Sequence, residues 1–194
     1  MEETKLVAPI PGKITEIGQK FRKGLYVQKF TLAIGKLIDW AFYEGEQGRP
    51  SPAMVFALTA EGEVIYLRHY RFAALEFILE IPGGCADQEG ESAEETIRRE
   101  FGEETGYKPA HVEELLGTSI FFEPAALRTA YRAFLATGCT KVGEPHFDET
   151  EIAEVLTIPF SKWLAMIRCG EVRDDKNHAL TLLAGLKLGL LKIG

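Results

Sequence analysis

The stretch that most constrains this chain runs from residue 82 to residue 107, PGGCADQEGESAEETIRREFGEETGY. Its second half changes period. Ala93, Ile97 and Phe101 recur every four residues, the spacing of one buried stripe on an amphipathic helix. Ser92 with Glu95 predicts a capping box at the start, and Gly106 predicts the stop, so a helix is expected over residues 92–104. Seven glutamates fall within residues 89–104 against two arginines, a run that is usually a solvated face. The spacing argues otherwise. Glu100, Glu103 and Glu104 stand at i, i+3 and i+4, so their carboxylates share one face and repel by roughly 0.2–0.5 kcal/mol per pair. That face adjoins the apolar stripe, where water screens less. A hard divalent cation relieves such repulsion, and Mg2+ commonly sits between carboxylates and substrate phosphates.

The rest of the chain sets the frame. Residues 25–34 and 36–43 read as strands around a turn at Ile34-Gly35-Lys36, and residues 44–52, EGEQGRPSP, as a linker. Residues 53–59 and 63–71 read as a hairpin through Ala60-Glu61-Gly62, and residues 76–81 as a strand stopped by Pro82-Gly83-Gly84. Further strands are expected at 119–122, 130–136 and 152–158, then helices at 161–168 and 177–191. That order predicts an α+β sandwich with helices on the faces of a mixed sheet, residues 49–194, behind a small antiparallel β region, residues 1–48. At 46% hydrophobic and 26% charged residues, the chain is neither disordered nor membrane-spanning. The apolar C-terminal run is interrupted by Lys187 and Lys192, and the acidic N-terminus is no signal peptide. A net charge of −7 argues against a uniformly basic surface, though not against a local basic pocket, so neither nucleic acid nor membrane is expected as a partner. Cys85, Cys139 and Cys169, widely spaced and odd in number, point to a reducing, cytoplasmic setting.

Residues 99–107, REFGEETGY, resemble the core of the Nudix box of the Nudix hydrolases, Gly-x5-Glu-x7-Arg-Glu-U-x-Glu-Glu-x-Gly-U with U aliphatic or aromatic. Glu91 matches the first Glu of that pattern, and Arg99 and Gly106 match their positions. Gly84 matches the opening glycine, but one extra residue, within 87–90, separates it from Glu91. The resemblance extends to the nucleoside-diphosphate-sugar hydrolases that include the ADP-ribose pyrophosphatases. His69-Tyr70-Arg71 resembles their Gln-Tyr/Phe-Arg segment, with His for Gln, and Leu79-Glu80-Ile81-Pro82-Gly83-Gly84 resembles their run before the box. Pro124 sits about where they carry a proline, Asp148-Glu149-Thr150-Glu151 resembles their acidic loop, and Gly170-Glu171-Val172-Arg173-Asp174 resembles the entry to their last helix.

The resemblance implies a Nudix-type α/β/α sandwich and hydrolysis of ADP-ribose or related nucleoside-diphosphate sugars to a nucleoside monophosphate and a sugar phosphate. It implies Mg2+ or Mn2+ on Glu100, Glu103, Glu104 and the Gly83 carbonyl. Arg99 would orient the glutamates and Glu91 would brace the loop. The base would come from the acidic loop, with Glu149 first by register, Glu151 second, and Glu100 third. Arg71 would hold phosphate or ribose, Glu80 ribose hydroxyls or metal, and Trp40 would stack on the base. N-terminal strands of this type are often exchanged between protomers, which implies a homodimer. Two alternatives stay open: a GDP-mannose or broad sugar-nucleotide hydrolase, and a non-catalytic nucleotide-sugar sensor.

Overall fold

The computed structural model describes residues 8–20, 23–45, 52–86, 90–192 and 194. Residues 46–51 of the expected linker and 87–89 of the loop carrying the extra residue lie outside the described residues. The chain forms two compact units, Met1–Arg49 with Phe121–Thr129, and Pro50–Ile120 with Ala130–Gly194.

In the first unit, β1 (Ile10–Lys20), β2 (Lys23–Thr31) and β3 (Leu37–Gly45) form an antiparallel sheet in that order. Tyr26 and Phe42, both buried, stack across β2 and β3 with ring centroids 5.7 Å apart. The segment Phe121–Thr129 returns to this unit from far along the chain. The Tyr43 amide donates to Ala126 O at 2.7 Å, the Arg128 amide to Tyr43 O at 2.9 Å, and the Arg128 guanidinium lies 3.8 Å over the Phe42 ring.

The remaining elements are β4 (Ala53–Thr59), β5 (Glu63–Arg71), β6 (Glu76–Glu80), β7 (Gly83–Gly84), α1 (Ala93–Thr105), β8 (Tyr107–Lys108), β9 (His111–Glu114), β10 (Ile120–Phe121), β11 (Ala130–Lys141), β12 (Ala153–Pro159), α2 (Phe160–Cys169) and α3 (Asp175–Lys187). The sheet path is β10-β11-β4-β5-β12, with β6 on β5, β7 on β4, and β8 and β9 on β11. β11 and β4 run parallel, while β12 and β6 are antiparallel to β5, so the sheet is mixed.

Every residue of β4 is buried, because helices cover both faces of a central strand. Alternation divides its side chains. Ala53, Val55 and Ala57, with Ile65 of β5, meet Ile97 and Phe101 of α1. Phe56 packs edge-on against Phe160 of α2 with ring centroids 6.0 Å apart, and Tyr66 packs at a tilt against Trp163 at 5.1 Å. Each fully buried large apolar side chain contributes about 1.5–3 kcal/mol. The α/β/α layering expected from the sequence is present. Among the described residues no helix is long and apolar enough to cross a membrane.

Some boundaries differ from expectation. α3 begins at Asp175 because the Asp174 side chain caps it, accepting from Lys176 N at 3.0 Å. It ends at Lys187, where the Leu190 and Leu191 amides turn back onto Gly185 O at 2.8 and 2.9 Å. β11 passes beyond Ala136 to Lys141 through a register shift before Cys139. β8 and β9 are too short to carry a periodicity of their own.

Candidate active site

Both ends of α1 are fixed locally. The Ser92 side chain accepts from Glu95 N while the Glu95 carboxylate accepts from Ser92 N at 2.9 Å. At the other end Gly106 takes φ 71°, and a Cβ there would lie 2.3 Å from Gly143 O, so only glycine fits. The Gly106 carbonyl accepts from Val142 N at 2.8 Å and Gly143 N at 3.1 Å, and Glu103 O accepts from His146 N at 2.6 Å. The start of the acidic loop is thereby tied to the end of the glutamate-bearing helix.

Arg99 gathers the acidic side chains around it. It donates to Glu91 Oε1 at 3.0 Å, Glu103 Oε2 at 3.1 Å, Glu100 Oε1 at 3.2 Å and the Cys85 carbonyl at 3.1 Å. These charge-assisted bonds link the loop to the helix and orient Glu100 and Glu103. Gly84 is placed by pairing with Ala53 of β4, and a Cβ on it would stand 2.2 Å from Glu100 Cδ. Gly84→Ala must therefore displace the Glu100 carboxylate. The expected result is a loss of about tenfold or more in turnover with the secondary structure kept, checked by kinetics and circular dichroism. A fully active alanine variant would show that the Glu100 position does not matter.

Glu104 turns inward. Its Oε2 accepts from Gly83 N at 3.2 Å. Burial pushes its carboxyl up to about 8, the Gly83 bond works against that rise, and the charges of Glu100, Glu151 and Glu80 add to it. Two carboxylates distant in sequence, Glu151 and Glu80, thus act electrostatically on Glu104 together with the Glu100 of its own helix. Glu80 is 3% exposed; its Oε1 lies 2.7 Å from Arg71 Nη2 and 3.1 Å from His69 Nδ1. Glu151 is half-buried and closes its loop by accepting from Asp148 N at 3.0 Å, whereas Glu149 is exposed.

The expected trio therefore converges only in part. The Glu103 side chain is 53% exposed and paired with Arg99, on the watery side of the helix. Among the described residues no three His, Cys, Asp or Glu side chains stand as a ready-made metal cluster. The donor chemistry nonetheless fits a hard cation: Glu104 is an enclosed carboxyl surrounded by like charges, which a divalent ion would neutralise.

Arg71 opens onto a cleft of about 580 Å³ lined also by Glu76, Glu80, Arg173 and Lys176. Trp40 belongs to the first unit. It is 50% exposed, its indole N–H donates to Ala125 O at 2.9 Å, and it lines an apolar cleft of about 600 Å³ with Phe30, Phe121, Pro124 and Arg128. Reading the sequence alone missed the burial of Glu80 against His69 and Arg71. Its only signal there was an acidic residue at the inward register of a strand.

The NUDIX domain family matches residues 48–178. An ADP-ribose pyrophosphatase of Bacillus subtilis (strain 168) is 30% identical over 153 residues, which cover 78% of this chain and 79% of that protein. A GDP-mannose pyrophosphatase of Yersinia enterocolitica is 35% identical over 117 residues, 59% of each chain. The crystal structure of an ADP compounds hydrolase superposes with a TM-score of 0.82 over 96% of this chain and 97% of that one, at 16% identity, a likeness of fold. The family match takes in well over half of the chain and runs through the whole glycine–helix–acidic-loop arrangement, and on that ground this chain belongs to the Nudix family.

Proposed function

We propose that this protein hydrolyses the pyrophosphate bond of ADP-ribose or related nucleoside-diphosphate sugars, with Mg2+ or Mn2+, to a nucleoside monophosphate and a sugar phosphate. The observation that carries this reading is the enclosed Glu104 carboxyl, which is tied to the Gly83 peptide and lies on the helix that also carries Glu100, with the charges of Glu100, Glu151 and Glu80 acting on it. Glu100, Glu104 and the Gly83 carbonyl would hold the cation, with Glu103 joining on release from Arg99. When bound, such an ion supplies Lewis-acid charge to phosphoryl oxygens and acidifies a coordinated water.

The chain's own residues do the rest. Arg71, its guanidinium held on one side by Glu80, presents further N–H donors to pyrophosphate oxygens. Glu151 takes the proton from the attacking water. Register alone puts Glu149 first, but the charge of Glu151 reaches Glu104. Trp40, its edge fixed by Ala125, offers a ring face to a nucleobase. The names of the relatives, an ADP-ribose and a GDP-mannose pyrophosphatase, support this substrate class and make GDP-mannose the second candidate.

A panel of nucleoside-diphosphate sugars with Mg2+, read by product analysis, tests the reading. ADP-ribose is expected to give AMP and ribose 5-phosphate, EDTA to abolish turnover, and Mg2+ or Mn2+ to restore it. Turnover undiminished in EDTA, or tight binding of every substrate without products, overturns it.

A further inference from the structure

Asn177 is completely buried in the first turn of α3. Its Oδ1 accepts from Ile81 N at 2.8 Å, and its Nδ2 donates to Leu79 O at 2.8 Å. Leu79 O and Ile81 N lie on the same side of the strand and flank Glu80. One amide that donates to the residue before and accepts from the residue after reproduces the bonding of one residue of a parallel neighbouring strand. β5 occupies the other side of β6, pairing Leu67 with Glu80. A single side chain thus satisfies the buried Ile81 amide and the part-buried Leu79 carbonyl along the outer edge of β6, groups that would otherwise be costly to leave unpaired.

What this edge leads to gives the contact its meaning. Glu80, at the centre of the bridge, is the buried carboxylate that holds Arg71. Immediately beyond it, Pro82 O accepts from Val55 N at 3.0 Å, and Gly83 N donates to Glu104. The Leu79–Gly83 segment is therefore pinned at Leu79 and Ile81 by α3, at Pro82 by β4, and at Gly83 by the glutamate helix. Of these ties, the two bonds from α3 are both made by the Asn177 amide.

We propose that Asn177 is a positioning residue of the active site: through its paired bonds to Leu79 and Ile81 it fixes Glu80 and the Gly83 peptide, and so the geometry in which Arg71 meets phosphate and Glu104 meets the cation. The inference rests on the pyrophosphatase reading above. Asn177→Asp keeps the acceptor for Ile81 N but sets an oxygen against Leu79 O; Asn177→Ser is too short for either bond. Leu180→Ala, equally buried on α3, is the control for plain loss of stability.

The test measures kcat, KM and half-saturating Mg2+ for turnover, together with the shift in melting temperature that Mn2+ produces without substrate. Both Asn177 variants are expected to raise half-saturating Mg2+ about tenfold, as losses behind a metal ligand do, to lower kcat/KM at least as much, and to shrink the Mn2+-induced shift. Leu180→Ala is expected to lower the melting temperature with half-saturating Mg2+ unchanged. Folded Asn177 variants with wild-type constants overturn the proposal. So does a Leu180→Ala variant with the same metal defect, and so does failure of both Asn177 variants to fold, which would assign the residue to the fold alone. Failure of the pyrophosphatase reading itself shows separately, as absence of turnover by the wild type, while the Mn2+-induced shift still reports on Asn177.

Discussion

Replacing Glu104 by Gln is expected to lower kcat by about a hundredfold or more while raising the melting temperature of the cation-free protein. The two effects share one cause. The wild-type carboxyl ordinarily titrates at 4.5 and is pushed up to about 8 in the fold, chiefly by burial. A folded carboxyl with a raised value holds its proton after the unfolded chain has lost it. Stability therefore falls as pH rises from 4.5 to about 8 and levels off above that. Gln carries no such penalty, so in EDTA the variant's advantage should grow across that window to a few kcal/mol, at about 1.4 kcal/mol for each tenfold difference in proton affinity between the folded and unfolded carboxyl. For a chain of this size that corresponds to several degrees or more. Adding Mg2+ should reverse the order, because a ligand that binds only the folded wild type stabilises it by mass action. Thermal melts at pH 5 and pH 8.5, each with and without Mg2+, check the whole pattern. A variant that is active, or that is less stable than the wild type in EDTA at high pH, would contradict it.

Glu151→Gln is expected to lower kcat by about a hundredfold to ten-thousandfold with substrate affinity nearly intact, and Glu149→Gln to matter far less. A base acts on the proton of the attacking water, so its loss is felt in the transition state and not in ground-state binding. Gln at 151 keeps an acceptor for Asp148 N, so the loop can close as before. Steady-state kinetics with equilibrium binding of the substrate for both variants decides between them. A crippled Glu149→Gln beside a normal Glu151→Gln would restore the order suggested by register, and two normal variants would move the base to Glu100.

The sequence declared α1 clearly because its signals are local. Ser92, Glu95 and Gly106 act within a turn of the helix ends, and Ile97 and Phe101 repeat within the helix. The hairpin of β4 and β5 was legible for the same reason. What was not legible depends on groups brought together by the fold. Nothing near Glu80 foretells that His69 and Arg71 will enclose its carboxylate, and nothing near Glu104 foretells that Glu151 will act on it. Spacing suggested that Glu100, Glu103 and Glu104 share one face of a helix. It could not say that Glu104 turns inward while Glu103 pairs with Arg99 in water, because that depends on where β7 runs. Asn177 reads in sequence as an ordinary residue of a helix start, and its bonding partners lie almost a hundred residues earlier.

The return of Phe121–Thr129 to the first unit has a consequence for the growing chain. Trp40 waits for Ala125, 85 residues later, and Gln28 waits for Arg128, 100 residues later. During synthesis β1, β2 and β3 can pair as neighbours, but Phe42 keeps a bare face until most of the second unit has left the ribosome. Closing so long a loop is slow relative to local pairing, so completion of the first unit comes late in folding although its strands are made first. A fragment cut after Arg49 would hold every strand of this sheet yet lack its closing segment. By the same logic, the sheet is transferable to another protein only with a copy of that segment spliced in behind it.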